Sequence, residues 1–241
     1  MGITLATLVS EIFPKNTILL LERLHKCGEE SSKGINNAGT GHAGYCELNY
    51  TPINTKKSIN THRATQINSM FETSLEFWSY LDNKYDFFDV KKFLKKIPHL
   101  SFVWGEKNVS FLKKRYRTLK KQSLFEEMEY SENPKIIEEW APLLMEGRNP
   151  KQKVAATKVD YGTDINFGEL IAQLLKLLKK NKNFSLITNS NVKLINYKNN
   201  NVFEVVVDKN KKYFSEKVFL GAGGMTINLL QNMGINEING Y

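Results

Sequence analysis

Apolar positions recur along this chain with two different periods, and the changes between them set the expected element order. Gly2–Phe13 carries Leu5, Leu8, Val9, Ile12 and Phe13 at helical spacing, and Pro14 ends the helix. Thr17–Leu21 is an unbroken apolar run opened by the β-branched Thr17 and Ile18, the pattern of a strand buried on both faces, and it runs into Glu22. Ala64–Leu81 predicts a long amphipathic helix with Ala64, Ile67, Phe71, Leu75, Trp78 and Leu81 on its core face. Leu100–Trp104 predicts a strand. Val109, Leu112, Tyr116 and Leu119 mark a helix whose Lys113, Lys114, Arg115 and Arg117 form a solvated face. Asn133-Pro134 supplies an N-cap and first helical position for a short helix to Trp140, and Val154–Val159 predicts a strand. Asn166 and Glu169 have capping-box spacing ahead of Leu170, Leu174, Leu177 and Leu178. Strands follow at Phe184–Thr188, Val192–Tyr197 and Val202–Val207, the last two joined as a hairpin by Asn199-Asn200-Asn201. A strand over Tyr213–Leu220 leads into Gly221-Ala222-Gly223-Gly224 and a helix over Ile227–Met233.

Two stretches break the pattern. Ile53–Thr61 is polar and predicts a loop. Glu29–Pro52 is richer in chemistry, with four glycines, three asparagines, two serines, two threonines and a histidine, and almost nothing that could build a core. Such a segment wraps a ligand or is a mobile surface loop: glycine admits close backbone approach, and runs of exposed amides form anion-binding nests. Gly147-Arg148-Asn149-Pro150 reads as a turn that presents an arginine.

The helix–turn–strand–acid order at the start matches the second half of a dinucleotide-binding βαβ unit. Glu22 stands 20 residues after Gly2, the distance at which such units set a carboxylate on the ribose hydroxyls. The alternative is a solvated acid at a strand end. Gly2 could only be the third glycine of the G-x-G-x-x-G fingerprint, the one that lets helix and strand pack closely.

Composition narrows the class. With 241 residues, 41% hydrophobic and 24% charged, the chain suits one large or two small globular domains. No apolar run approaches the roughly 18 residues of a membrane span, and Met1–Phe13 has no basic region and carries Glu11, so no signal peptide is expected. Cys27 and Cys46 form no metal or redox motif, which predicts free thiols in a reducing compartment. The net charge of +9 comes from scattered lysines. It reads as compositional drift first and attraction to an anionic membrane surface second, with no nucleic-acid partner expected.

The motifs taken together resemble malate:quinone oxidoreductase, a family of FAD-dependent, membrane-associated malate dehydrogenases. The matching pieces are Leu21-Glu22-Arg23, Glu30 to Gly34, Asn36-Asn37-Ala38-Gly39-Thr40-Gly41-His42, Cys46 to Pro52, and Phe77-Trp78-Ser79-Tyr80. Further on come Pro98 to Gly105, Met128-Glu129-Tyr130-Ser131, Glu139 to Leu143, Met145-Glu146-Gly147-Arg148, Gly162 to Gly168, and Gly221 to Gly224. They are collinear, cover the first half of the family's pattern and begin inside its nucleotide fingerprint. A fragment without its first strand is therefore expected, poorly soluble, colourless and inactive when expressed alone.

The resemblance implies an α/β fold: a Rossmann-like, two-dinucleotide-binding FAD domain interleaved with a mixed-sheet α+β substrate domain. Residues 1–52 would begin the FAD domain, 53–160 would belong to the substrate domain and 161–241 would complete the FAD domain. By resemblance, FAD would contact Gly2, Glu22, Ser31, Ser32, Asn37, Gly39, Thr40, Gly41, His42, Val192, Gly221, Gly223 and Gly224. The reaction would oxidise (S)-malate to oxaloacetate, pass electrons to a membrane quinone and place the protein on the inner face of the cytoplasmic membrane. Another 2-hydroxy acid, or an inactive remnant, are the alternatives. Malate is a dianion, so cations and a base are needed. His42, His99 and Arg148 are the candidates, because imidazole accepts protons near neutrality and arginine forks onto carboxylates. The bland readings are a backbone-bonded strand-end histidine for His99 and a surface turn residue for Arg148.

Overall fold

Periodicity and caps place most elements where the sequence predicts them. The computed structural model describes residues 1–55, 57–198 and 201–235. Its helices are α1 Gly2–Ile12, α2 His62–Lys84, α3 Glu106–Leu119, α4 Pro134–Trp140, α5 Phe167–Leu178 and α6 Thr226–Asn232. Its strands are β1 Ile18–Leu21, β2 Leu94–Lys96, β3 His99–Trp104, β4 Glu129–Ser131, β5 Val154–Val159, β6 Thr163–Ile165, β7 Phe184–Ile187, β8 Val192–Lys198, β9 Val202–Val207 and β10 Lys212–Ser215. Both predicted caps form. Asn133 accepts from the Lys135 amide with Pro134 at the first helical position, and Asn166 accepts from the Glu169 amide.

The chain divides into two compact units, Met1–Ala38 with Asn166–Tyr241, and Gly39–Ile165. The Glu29–Pro52 loop is thus shared between them. In the first unit β1 and β7 pair in parallel, Ile18 with Phe184 through Leu21 with Ile187. The antiparallel sheet β10-β9-β8 lies in the same unit, with a register shift between Val192 and Leu194. Pairing of β8 with β9 fits the predicted hairpin, although Asn199 and Asn200 of its turn lie outside the described residues. Helix α5 buries Leu170, Leu174, Leu177 and Leu178, the predicted stripe, together with Gln173.

Three expectations for this unit need correction. The run at Thr17–Leu21 is not buried on both faces: Leu19 is 37% exposed, and among the described residues β1 pairs with β7 alone. Helix α1 does not bury its apolar stripe. It turns Ala6, Thr7 and Ser10 inward and leaves Ile12 63% and Phe13 55% exposed. The inward face is fixed by specific bonds, Thr7 Oγ1 donating to the Ile3 carbonyl and Asn181 donating to Ser10 Oγ at 2.7 Å. The strand predicted over Tyr213–Leu220 stops at Ser215, where its pairing with Phe203 of β9 ends. A ladder persists only as far as a neighbour offers backbone partners.

In the second unit β5 is the centre of the antiparallel sheet β3-β5-β4. A central strand has both faces covered, and Val154, Ala155, Ala156, Thr157 and Val159 are all buried. Alternation along β3 sends His99, Ser101 and Val103 to one face and Leu100, Phe102 and Trp104 to the other. On the first face Val103 packs with Val109 and Leu112 of α3 and with Ala155. On the second, Phe102 joins Ile137, Val154, Ala156, Trp140 and Met145. A further core gathers Ala43, Tyr45, Ala64, Leu119, Phe125, Met128 and Val159. The small strands β2 and β6 pair separately, Leu94 with Ile165 through Lys96 with Thr163.

Candidate functional site

In the first unit three of the candidate cofactor residues, Gly2, Glu22 and Gly221, lie at the carboxyl end of β1, where open α/β sheets receive ligands. Helix α1 runs into β1 through the Phe13–Thr17 turn, so its N-terminus returns to the end at which Glu22 leaves β1. No side chain caps α1, and its first turn holds no acid. Gly221 packs against that terminus: a Cβ on it would sit 3.1 Å from Gly2 Cα and 3.2 Å from Gly2 N. Two bare backbones therefore meet at uncapped helix amides, a cradle suited to a pyrophosphate. Glu22 Oε1 accepts from the Leu24 amide at 2.9 Å, and the Glu22 carbonyl accepts from Ser190 N. The carboxylate is thereby held at the strand end.

The loop after Glu22 is tied to itself. Arg23 pairs with Glu30, and Lys33 with Glu29 at 2.7 Å. Asn37 Nδ2 donates to the Ser31 and Lys33 carbonyls, and Asn36 Nδ2 to the Glu30 carbonyl. Asn37 thus shapes the turn that carries Ser31 and Ser32. Val192 opens β8 beside the register shift, and Gly223 and Gly224 begin the turn before α6.

In the second unit Gly39 and Gly41 lie against β6. The Ile165 amide donates to the Gly39 carbonyl, and the Gly41 amide donates to the Thr163 carbonyl at 2.8 Å. A side chain on either glycine would overlap Asp164 or Thr163. Thr40, between them, bridges to Asp164. These glycines have a packing reason of their own.

The segment that follows is fastened by a residue the sequence points the wrong way. Arg115 is not on a solvated face but fully buried. Its Nε donates to Thr51 Oγ1 at 3.0 Å, and its Nη2 donates to the Gly44 and Tyr45 carbonyls at 2.9 and 3.0 Å. Gly44 holds φ +70°, and a Cβ there would come within 2.9 Å of the Ala64 carbonyl, so only glycine turns the chain tightly enough at this point. Burial draws the guanidinium down to about 10, and the nearby Cys46 and Glu47 oppose the fall. Ser101 Oγ donates to the Cys46 carbonyl at 2.9 Å and fixes the same segment to β3.

The three candidate substrate residues differ in what remains available to them. His99 is 8% exposed, and Nε2 lies 3.1 Å from the Thr163 carbonyl. A carbonyl only accepts, so Nε2 carries the proton and Nδ1 faces the Cys46 thiol at 3.9 Å. Gly162 closes over the ring so tightly that a Cβ would overlap it. Arg148 stacks on Phe102 and Trp104, with Nε donating to the Leu144 carbonyl and Nη1 to Gln152 Oε1. His99 and Arg148 therefore stand on opposite faces of β3. His99 and Trp104 are also separated by five residues of strand, about 17 Å at ~3.4 Å per residue. One small substrate meets one of them, not both. His42 is exposed, with Nδ1 at 2.6 Å from Glu47 Oε1. Glu47 was not singled out by the sequence. The readable signal is a carboxylate five positions after a histidine in a loop otherwise free of acids between them. No group of three or more His, Cys, Asp or Glu that could hold a metal occurs among the described residues.

This architecture is shared with solved oxidases. A dithionite-reduced L-α-glycerophosphate oxidase from Mycoplasma pneumoniae with FAD bound superposes with TM-score 0.64 at 17% identity, over 97% of this chain and 54% of that one. Glycine oxidase from Geobacillus kaustophilus gives TM-score 0.67 at 12% identity, again over 97% and 54%. The fold is that of this class of oxidoreductases. The family follows from sequence: a family model described as malate:quinone oxidoreductase (Mqo) matches residues 1–241, and the chain belongs to that family. Relatives described as probable malate:quinone oxidoreductases include one from Blochmanniella floridana, 47% identical, and one from Hahella chejuensis, 44% identical. All of this chain aligns with 47% of the first and 50% of the second, so it spans about half the length of the curated relatives it matches.

Two outcomes test this geometry. Arg115→Ala should lower unfolding free energy in denaturant titration by about 3–5 kcal/mol, because it leaves buried acceptors and the Glu47 charge without their cation. Arg115→Lys should recover only part, lacking the fork. The second concerns Cys46, whose thiol is pushed up to about 11 from 9 by burial and by the Glu47 carboxylate. The folded state holds that proton more tightly than the unfolded chain. Its stabilising contribution is complete below pH 9 and is lost as pH rises through about 11. Denaturant midpoints should fall across that window, and Cys46→Ala should flatten the fall.

Proposed function

We propose that the protein carrying this chain binds FAD and oxidises (S)-malate to oxaloacetate, passing the electrons to a membrane quinone. Family membership across residues 1–241 carries this reading. The uncapped end of α1, closed by Gly2 and Gly221 and adjoined by Glu22, supports it by fitting a pyrophosphate and a ribose. Residues 1–38 and 166–241 are proposed as the cofactor unit, with Ser31, Ser32, Asn37, Val192, Gly223 and Gly224 as further contacts, and 39–165 as the substrate unit. Gly39, Thr40, Gly41 and His42, at the start of that unit, are proposed to continue the cofactor loop.

Oxidation of a 2-hydroxy acid breaks its C2–H and O–H bonds and forms a carbonyl. FAD, when bound, supplies the acceptor for the hydride and its electron pair. The protein must hold two carboxylates and take the hydroxyl proton. Arg148 lies across β3 from His99, which shares the Thr163 carbonyl with Gly41, so its stacked fork is proposed to brace Phe102 and Trp104 rather than to hold a carboxylate of a substrate at His42. No helix among the described residues is long and apolar enough to cross a membrane. Transfer to a lipid-soluble quinone calls for peripheral contact with the cytoplasmic membrane, which the net charge of +9 would favour on an anionic surface.

Malate-dependent reduction of a quinone-analogue dye by the intact protein tests the assignment, with lactate as the competing 2-hydroxy acid. Malate should be the better substrate by kcat/KM, and equal rates on lactate would move the substrate assignment to another acid. Arg148→Lys should leave the malate KM unchanged, and a rise would return the arginine to the substrate site. In flavin titration Glu22→Ala should weaken FAD binding by about 1–3 kcal/mol, and unchanged affinity would remove Glu22 from the cofactor site.

A further inference from the structure

We propose that Glu47 is the positioning carboxylate of His42, and that Nε2 of His42 is the atom that takes the hydroxyl proton. This rests on the reading of the protein as a 2-hydroxy-acid oxidoreductase and goes beyond it by choosing the base and naming its partner.

His42 Nδ1 lies 2.6 Å from Glu47 Oε1. A carboxylate offers only acceptors, so the contact puts a proton on Nδ1, and in the neutral ring the lone pair is left on Nε2. Exposure is unequal in the sense a base and its orienter require. The His42 side chain is 58% exposed, and the Glu47 side chain only 13%. The imidazole is open while the carboxylate that aims it is held inside.

Glu47 is held from both sides. Before it, Arg115 grips the Gly44 and Tyr45 carbonyls, and Ser101 grips that of Cys46. After it, the Glu47 carbonyl begins the Leu48–Tyr50 turn, and Arg115 holds Thr51. Glu47 Oε2 and Arg115 Nη1 are both buried without a hydrogen-bond partner among the described residues, and Glu47 is one of the anions acting on the guanidinium. Accepting from Nδ1, the Glu47 carboxylate holds the neutral imidazole in one tautomer. When the proton arrives on Nε2, the same charge offsets the imidazolium.

The other candidates lack this arrangement. The Nε2 proton of His99 is bound to Thr163, its Nδ1 faces Cys46, and Gly162 closes over its ring. Arg148 has no acceptor atom. In the step proposed, the malate O–H breaks and its proton passes to His42 Nε2. The C2–O bond becomes a carbonyl as the C2–H bond breaks, and FAD, when bound, would accept that hydrogen with its electron pair.

Long-range ¹H–¹⁵N correlation of the His42 ring on the full chain tests the pair without activity. The wild type should show the Nδ1–H tautomer, and Glu47→Ala should shift the ring toward Nε2–H. In the intact enzyme Glu47→Ala should lower kcat about 10–100-fold with the malate KM little changed, and Glu47→Asp should restore part of it. His42→Ala should lower kcat by on the order of 10²–10⁴-fold. An Nε2–H tautomer in the wild type, which needs no variant to fold, overturns the pair. So does a tautomer unmoved by Glu47→Ala, or full turnover in His42→Ala. A wild-type enzyme that oxidises no 2-hydroxy acid sinks the functional reading instead, and the tautomer spectrum still decides the Glu47–His42 contact.

Discussion

The second unit depends on a cation it has taken out of water. Burying a guanidinium costs several kcal/mol unless acceptors surround it, and the acceptors around Arg115 all come from one loop. Two are backbone carbonyls of successive residues, Gly44 and Tyr45, which reach the same nitrogen because Gly44 takes a conformation closed to other residues. The third is the hydroxyl of Thr51, itself completely buried. A polar segment with no core of its own thus acquires a fixed path by wrapping a charge. The apolar side chains it does own, Ala43 and Tyr45, then reach the cluster of Ala64, Leu119, Phe125 and Met128. Loop, α3 and the face of β3 that bears Ser101 and Val103 are organised by one residue.

In the first unit the equivalent constraint is close approach of backbones. Gly221 stands so near Gly2 that a Cβ would lie 3.1 Å from its Cα. Helix α1 follows the same logic, turning small and polar residues inward and leaving bulky ones outside. Small side chains let backbones come near, and near backbones leave their amides accessible. A surface built that way suits phosphate oxygens better than it suits an apolar ligand.

How much of this the sequence reveals depends on how local each cause is. Helices α2 to α6, strands β5 and β9, and the caps at Asn133 and Asn166 are set by period and by capping chemistry within a few residues, and all are legible. Strands β2, β4 and β6 have three residues each, too few for a period to register. The end of β10 at Ser215 is set by where its neighbour stops, which no letter in Lys217–Leu220 encodes. Arg115 is the instructive failure. It sits in Lys-Lys-Arg-Tyr-Arg, where every neighbouring cation is solvated, and its spacing from Leu112 and Leu119 puts it on the apolar stripe as well as on the edge of the charged one. Periodicity alone admits both places. What decides between them is a loop some 64 to 71 residues earlier in the chain.

The same principle separates the histidines. His42 and His99 are equal as letters, both in glycine- or proline-adjacent motifs, and both plausible bases. Their use is decided by the partner of one ring nitrogen. A backbone carbonyl on Nε2 of His99 directs the remaining lone pair toward a thiol in the interior, and packing from Gly162 closes the ring off. A carboxylate on Nδ1 of His42 directs the remaining lone pair toward solvent. The first arrangement adds cohesion to a strand, and the second stores an acceptor at a fixed position. Because Glu47 is anchored through the backbone that Arg115 grips, the buried cation that gives the loop its path also sets where that acceptor points. The path of the loop and the aim of the His42 ring are therefore coupled through a single side chain that is itself fully buried.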